Sequence, residues 1–303
     1  MAESFVIVNP ASGSGKTGRR WPGLDARMRA EGGQYDVEFT REPGHAEQLA
    51  RTAAAGGVKT VIVVGGDGTL NEVVNGLIAD DVAIGDITVG ILPVGTASDF
   101  ARAMSLPRDP LAAAIHLMRK AQPQPLDVGR IDCVRGGQPA TRYFANIAGL
   151  GFDGEVADRV NRAGKSAGTL VYQTTLLRSL VAYQNKRVTL TVDDKTIEGM
   201  MNSVVVANAR YFGGGMFVAP NARWDDGLFD VIVLGDFGKL EVVGNLPKLY
   251  RGTHLKHKKV TELRAREVGV TARERMFLQA EGELVGEAPV TFRMLSRALK
   301  VLR

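Results

Sequence analysis

The segment Gly65-Gly66-Asp67-Gly68-Thr69 stands directly behind the β-branched run Val61-Ile62-Val63-Val64 and ahead of Asn71 and Glu72, and it limits the folds open to this chain more than any other feature. A run of that kind suits a pleated strand. Three glycines around one carboxylate end the strand with bare backbone N–H groups and room for a ligand to come close, and the carboxylate can hold a metal-bound phosphate. A tight strand-to-helix turn also accounts for the residues, since glycine takes positive φ and Asp or Thr can cap a helix expected over Leu70–Ile78. Paired glycines give up more backbone entropy than a plain turn requires, and a strand that reads as buried seldom ends on an unpartnered Asp. The ligand-binding reading is therefore preferred.

The same strand-then-helix grammar runs through the first part of the chain. Strands are expected at Phe5–Val8, Tyr35–Thr40, Thr60–Val64 and Ile87–Leu92, each followed by a helix, at Thr17–Ala30, Ala46–Ala54, Leu70–Ile78 and Leu111–Arg119. Such alternation predicts a doubly wound α/β domain with a parallel sheet, whose ligands sit at the carboxyl ends of the strands. Pro123-Gln124-Pro125 is taken as the boundary, because paired prolines stop a helix and stiffen a linker. Residues 124–303 read mainly as short strands, at Leu126–Val134, Tyr143–Ile147, Val188–Val192, Met200–Ala207, Phe229–Leu234, Met276–Ala280 and Val290–Met294, interrupted by a helix expected over 164–183. That pattern predicts a second, antiparallel β-sandwich domain, with the last strand free to return to the first domain, 1–123.

Several further segments carry chemistry. Asn9 to Lys16 follows the first strand and ends in Gly15-Lys16-Thr17, which imitates a phosphate-binding Walker A loop; Pro10, with fixed φ and no N–H, stands where that loop needs glycine. The segment still works as a small-residue loop carrying Lys16 towards a phosphate. Gly95-Thr96 offers an open backbone and a hydroxyl after the fourth strand. Glu281-Gly282-Glu283 places two carboxylates at a spacing of two, which in an extended chain points both to one side. Asp225-Asp226-Gly227 reads as an ordinary turn. Gly213-Gly214-Gly215 reads as a mobile loop whose neighbouring aromatics are free to line a ligand entry, or equally as a hairpin tip.

Taken together these motifs resemble the bacterial lipid kinases of the diacylglycerol kinase catalytic family. The match runs in order through Asn9-Pro10, Ser12-Gly13 and Lys16; Gly65 to Glu72; Leu92 to Thr96 with Asp99 to Arg102; Asp226-Gly227-Leu228; and Gly282-Glu283. The resemblance implies ATP and Mg²⁺ as cofactors and a lipid hydroxyl as acceptor. It implies nucleotide contacts at Asn9, Lys16, Thr40, Gly65, Gly66, Asp67, Gly68, Thr69, Leu70, Asn71, Glu72, Gly95 and Thr96. It also implies a structural Mg²⁺ on Asp226 with the carbonyls of Arg223 and Leu228, and a catalytic carboxylate at Glu283, assisted by Glu281 and by Asp67 on the catalytic metal. This chain departs from the family pattern at Ala97-Ser98, where Gly and Asn are usual, and at Glu281, where Asp is usual. An extra methylene moves a carboxylate by roughly 1.5 Å, and a misplacement near that size can cost on the order of a hundredfold in rate, so either the acceptor is placed differently or activity is low.

Composition agrees with this reading. A chain of 303 residues, 45% hydrophobic, can bury the cores of two domains. The single cysteine, Cys133, excludes an intrachain disulfide and suits a reducing cytosol. No apolar run is long enough to span a bilayer and none precedes the first strand, so the expectation is a cytoplasmic protein, with peripheral contact to the membrane that holds its lipid. A net charge of +5 is too modest to argue for nucleic acid. The densest basic patch, His254 to Lys259, reads equally as a solvated edge strand or as a membrane-facing surface, and a homodimer through strand edges is open to it. Two rivals remain: an NAD kinase, which shares the Gly-Gly-Asp-Gly-Thr turn, and a nucleotide sensor without transfer activity.

Overall fold

The computed structural model describes residues 3–163, 179–180 and 182–303, and the helix expected over 164–183 falls almost wholly outside them. The chain divides into two compact units. The first comprises Met1–Val128, Trp224–Asp226 and Leu295–Arg303; the second comprises Gly129–Arg223 and Gly227–Met294.

In the first unit the elements follow as β1 (Ser4–Val8), α1 (Lys16–Ala30), β2 (Asp36–Phe39), α2 (His45–Ala55), β3 (Thr60–Gly65), α3 (Asp67–Leu77), a small hairpin of β4 (Ile78–Ala79) and β5 (Val82–Ala83), β6 (Thr88–Pro93), α4 (Asp99–Ala103) and α5 (Pro110–Arg119). The sheet order is β2-β1-β3-β6, all parallel. β1, β3 and β6 are apolar at nearly every position because a central parallel strand is covered on both faces. Val6, Val8, Ile62, Val64 and Leu92 pack against Trp21, Leu24 and Met28 of α1 and Ala113, Ala114 and Leu117 of α5. The intervening residues Ile7, Val61 and Val63 are buried on the other side of the pleat, where α2 and α3 pack. This arrangement puts the carboxyl ends of β1, β3 and β6 side by side.

The second unit is an antiparallel β-sandwich. It contains the larger part of β7 (Pro123–Arg135), then β8 (Gln138–Phe144), β9 (Ile147–Gly151), α6 (Phe152–Ala163), β10 (Lys186–Val192), β11 (Lys195–Met201), β12 (Ser203–Ala207), β13 (Phe229–Leu234), α7 (Lys239–Tyr250), β14 (Val260–Ala265), β15 (Glu267–Ala272), β16 (Phe277–Ala280) and most of β17 (Glu283–Leu302). One run of strands is β14-β13-β12-β9-β16-β17; β15 and β7 also pair with β17 and lead to β10-β11 and β8. Their inner faces share a core in which Phe144 stacks on Phe229 at 5.7 Å and meets Phe292 edge-on at 6.1 Å. From Leu295 the strand β17 belongs to the first unit, where Lys300 and Val301 pair in parallel with Thr88 and Val89 of β6.

Several expectations need correction. Pro123-Gln124-Pro125 is no linker: it opens the 13-residue strand β7, and the units divide at Val128 instead. Prolines are tolerated there because the start of a strand does not need every N–H, and the neighbouring Gln122 exchanges two backbone hydrogen bonds with Arg303, at 2.7 and 3.0 Å. The strand expected over Tyr143–Ile147 is two strands with Ala145-Asn146 between them, and Met200–Ala207 is likewise broken at Asn202. The three-glycine segment is a closed hairpin tip: Phe212 and Met216 exchange backbone hydrogen bonds at 3.1 and 3.0 Å, and Tyr211 stacks on Phe217 at 4.6 Å. His254 is not part of a surface patch; it is 2% exposed and its Nε2 lies 2.9 Å from the Val218 carbonyl oxygen.

Candidate active site

In the first unit, three loops meet at the carboxyl ends of β1, β3 and β6. The first is ordered by Asn9, whose Oδ1 accepts the N–H groups of Ala11 and Ser12 at 3.1 and 3.2 Å while its Nδ2 donates to Thr69 Oγ1 at 2.9 Å. One amide therefore fixes its own loop and ties it to the glycine-rich turn. Gly13, Ser14 and Gly15 all have positive φ, and this left-handed run delivers the chain to Lys16, exposed as the first residue of α1.

The second loop begins its helix earlier than the sequence implied. α3 starts at Asp67, so Asp67-Gly68-Thr69 is its first turn, and Gly66 is an extended N-cap whose carbonyl accepts the N–H groups of Thr69 and Leu70 at 3.1 Å. The third loop is bound to the second by Gly65, whose carbonyl accepts the N–H groups of Val94 and Gly95 at 3.1 and 3.0 Å. At this crossing position 95 has room only for glycine. A Cβ on Gly95 would stand 2.4 Å from Gly66 Cα, and one on Gly13 would stand 3.0 Å from the Val94 carbonyl oxygen. Bare backbone thus meets bare backbone, beside the N-terminal ends of α1 and α3, where unsatisfied N–H groups and the helix dipole favour an anion.

The Asp67 carboxylate has a definite task. Its Oδ2 and Oδ1 accept the N–H groups of Asp99 and Phe100, each at 3.0 Å, and so hold the start of α4 against the glycine turn. Each oxygen keeps a further lone pair. The residue in strained left-handed backbone is Ser98, at φ 51°, and not Ala97. Ala97 therefore needs no left-handed freedom, and Ser98 carries the αL position that Gly or Asn fills most readily.

The remaining first-unit candidates divide. Thr40, directly after β2, donates its N–H to the Val8 carbonyl at 2.8 Å and lies at the same sheet end, and Thr96 is exposed on the third loop. Leu70 is a core residue, 2% exposed, and Asn71 is buried within α3 beside Asn75. Glu72 is turned to α2, where its Oε2 accepts the Ala46 N–H at 3.1 Å. Leu70, Asn71 and Glu72 thus support the turn from behind, and the structure does not bring their side chains to the glycine crossing. Asp226 belongs to the first unit, where the preceding Trp224 lies under the Arg303 guanidinium at 5.0 Å and its carbonyl accepts the Asp127 N–H at 2.7 Å. Arg223 and Leu228 belong to the second unit.

In the second unit the carboxylate pair sits on a hairpin. Ala280 pairs with Glu283, leaving Glu281 and Gly282, at φ 54° and 86°, as a two-residue turn with both residues left-handed. This is the hairpin geometry for which Asn-Gly and Asp-Gly are favoured. The chain is not extended here, so the argument from alternation fails. Glu281 Oε1 accepts the N–H groups of Ala145 and Asn146 at 2.8 and 2.9 Å, which pins the turn to the β8–β9 connection. Glu283 is half-buried as the first residue of β17.

Sequence reasoning missed a buried network behind this turn. Gln279, 1% exposed, accepts the Gly282 N–H at 2.9 Å through Oε1 and donates through Nε2 to Asp153 Oδ2 at 3.1 Å. Burial pushes the Asp153 carboxyl up to about 6, against the opposing pull of the bonds from Gln279 and from the backbone. Asn208 joins from the end of β12, its Nδ2 donating to the Ala145 carbonyl at 2.7 Å. The one signal in the sequence was a polar residue closing an apolar run, as at Asn146 and Asn208.

Residues 3–131 match the family model described as the diacylglycerol kinase catalytic domain, and residues 146–303 match the YegS C-terminal NAD kinase beta sandwich-like domain. The chain is 30% identical over its full length to a diacylglycerol kinase of Bacillus subtilis (strain 168), covering 96% of that protein. It is 37% identical over 211 residues, 68% of this chain and 66% of the relative, to a "Probable lipid kinase YegS-like" of Xanthomonas campestris pv. campestris. In fold it is similar to a solved diacylglycerol kinase from Bacillus anthracis str. Sterne, with a TM-score of 0.73 at 21% identity over 98% of this chain and 95% of that one.

Proposed function

The chain belongs to the diacylglycerol kinase family, and from that premise we propose that it transfers the γ-phosphate of ATP to the hydroxyl of a lipid such as diacylglycerol. The observation that carries this reading is the crossing of Gly66 and Gly95, where side chains are excluded and three strand-end loops present backbone to whatever lies above them. A triphosphate fits such a place, because its oxygens accept N–H groups that protein atoms do not otherwise use.

Among the described residues no group of three or more His, Cys, Asp or Glu side chains could hold a metal ion. That donor set still suits Mg²⁺, which commonly takes one or two carboxylates and completes its shell with phosphate oxygens and water. Asp67 would hold it through the lone pairs left by its two N–H bonds, and when bound with the triphosphate it neutralises charge on the phosphate oxygens.

The chain's own residues carry the other parts of the reaction. Lys16, Gly13 to Gly15 and Gly95-Thr96 orient the phosphates. Glu283 accepts the proton of the acceptor hydroxyl as its oxygen bonds to the γ-phosphorus, and the bond from that phosphorus to the bridging oxygen breaks to release ADP. Glu281 holds the turn that presents Glu283, since its carboxylate is taken up by the Ala145 and Asn146 N–H groups.

The test is incubation with γ-labelled ATP and diacylglycerol, sphingosine, phosphatidylglycerol or NAD, the lipids in mixed micelles. Label is expected in a lipid, and Glu283→Gln is expected to lower kcat by at least a hundredfold with ATP affinity unchanged. Label in NAD alone would replace the reading with an NAD kinase. ATP binding with no label transferred would replace it with a sensor.

A further inference from the structure

Helix α7 has no buried residue along its 12 positions. Leu240 is 88% exposed, Val243 47%, Leu246 37% and Tyr250 53%. At about 100° per residue these four and Pro247 fall within roughly 120° of arc, which also holds Lys239, and Arg251 and then Lys248 follow beyond one edge. The orientation is fixed from the opposite side. Glu241 Oε2 pairs with Lys259 at 2.5 Å, the Leu249 carbonyl accepts the Phe217 N–H at 3.1 Å, and Leu249 packs against the cluster containing Val218, Ala219 and Ala222. The anchors hold the apolar arc outward.

Charge identifies what the arc meets. Residues 239–259 contain six Lys and Arg against one carboxylate, so this short segment carries an excess equal to the whole chain's net +5. The carboxylate, Glu241, is already paired, and Lys248, Arg251, Lys256 and Lys258 are exposed. A second copy docked across a two-fold axis would set this cationic border against itself. An anionic bilayer complements both parts, accepting the apolar arc at the acyl boundary and the cations at the headgroups.

We propose that α7 is the membrane-docking element of this protein and lies in the surface of an anionic lipid bilayer. The inference rests on exposure and charge and is independent of phosphoryl transfer; under the proposed function it names the surface through which the acceptor's membrane is reached.

Sedimentation of the full chain with vesicles, without nucleotide, tests it. Wild type is expected to bind phosphatidylglycerol vesicles, to bind phosphatidylcholine vesicles far more weakly, and to lose affinity as salt rises. Leu240→Glu is expected to weaken binding by at least about 30-fold, the loss of an inserted side chain of that size, and Lys248→Ala and Arg251→Ala by about fivefold each. Leu240→Trp is expected to strengthen it. The same Leu240→Glu protein should phosphorylate a short-chain, water-dispersed diacylglycerol at the wild-type rate, which shows its fold is intact. Binding of Leu240→Glu equal to wild type, or equal wild-type binding to both vesicles, overturns the proposal. So does a wild-type protein that ignores vesicles and self-associates through an interface that Leu240→Glu abolishes. A wild type that binds vesicles yet phosphorylates nothing would refute the kinase reading and leave the docking helix standing.

Discussion

Gly95→Ala gives the most exposed test of the nucleotide cradle, because the space it needs is occupied by backbone. The added Cβ would lie 2.4 Å from Gly66 Cα and 2.9 Å from Gly66 N. Carbon atoms pack at about 3.5 Å or more, so the β3 and β6 loops must part by roughly 1 Å. No flexible side chain is available to give way, and Gly65 holds the two loops together through its bonds to Val94 and Gly95. Overpacking of this kind costs about 1–3 kcal/mol, and a displacement near 1 Å at a positioning group costs on the order of a hundredfold in rate. Urea denaturation should show the first and titration with a fluorescent ATP analogue the loss of the cradle. The control is Gly23→Ala in α1, where a Cβ meets nothing within 4 Å. That change should leave nucleotide binding alone and stabilise the helix by up to about 1 kcal/mol. Wild-type stability and ATP affinity in Gly95→Ala would show that the two loops do not form a packed crossing, and the argument for a phosphate site would lose its basis.

Asp153 makes stability depend on pH in a fixed direction. Its carboxyl is raised from 3.8 to about 6, so the folded chain keeps a proton that the unfolded chain releases, and stability falls as pH rises between those values and stays lowered above them. The shift implies at most roughly 3 kcal/mol; Asp153→Asn should match wild type in urea near pH 4 and exceed it above about pH 6. Glu281→Ala should cost about 2–4 kcal/mol by removing the acceptor of two backbone N–H groups, and Glu281→Gln, which keeps an oxygen in place, should recover most of it by the same measurement. Gln279→Leu should cut kcat about tenfold or more while leaving KM for ATP unchanged, since it frees the turn bearing Glu283 without touching the first unit; an equal fall in nucleotide affinity would contradict that positioning role.

How far the fold could be read from the chain depended on burial. β1, β3 and β6 are covered on both faces, so their residues form unbroken apolar runs, and the glycine after β6 is forced at Gly95 by contact with the Gly66 backbone. Both signals survive in a single sequence. β14 and β15, Val-Thr-Glu-Leu-Arg-Ala and Glu-Val-Gly-Val-Thr-Ala, set a few core residues such as Val268 and Val270 among polar and half-buried ones, and that mixed composition hid them. α7 was invisible for the opposite reason. Leu240, Val243, Leu246 and Tyr250 face outward, so little in its pattern relates its sequence to a core within the chain. The tie from Asp153 through Gln279 to Gly282 joins residues up to 129 positions apart, and neither periodicity nor spacing reports a contact of that range.

The departure at Glu281 shows why a motif's residue and its role must be separated. Read as a catalytic acid in an extended strand, a Glu in place of Asp implied a carboxylate displaced by roughly 1.5 Å and a slow enzyme. In the hairpin, the same residue takes a left-handed backbone at φ 54° and spends its carboxylate on the Ala145 and Asn146 N–H groups. Those donors belong to the β8–β9 connection, and the extra methylene is length used to reach them. The displacement therefore falls on an anchor and not on a reacting group, and the hundredfold penalty attached to the substitution does not apply. Under the proposed function the chemistry at this end of the reaction rests on Glu283 alone, which gives Glu281→Gln and Glu283→Gln opposite expected outcomes: the first keeps turnover because its oxygen still accepts both N–H groups, and the second loses it because an amide cannot take the proton.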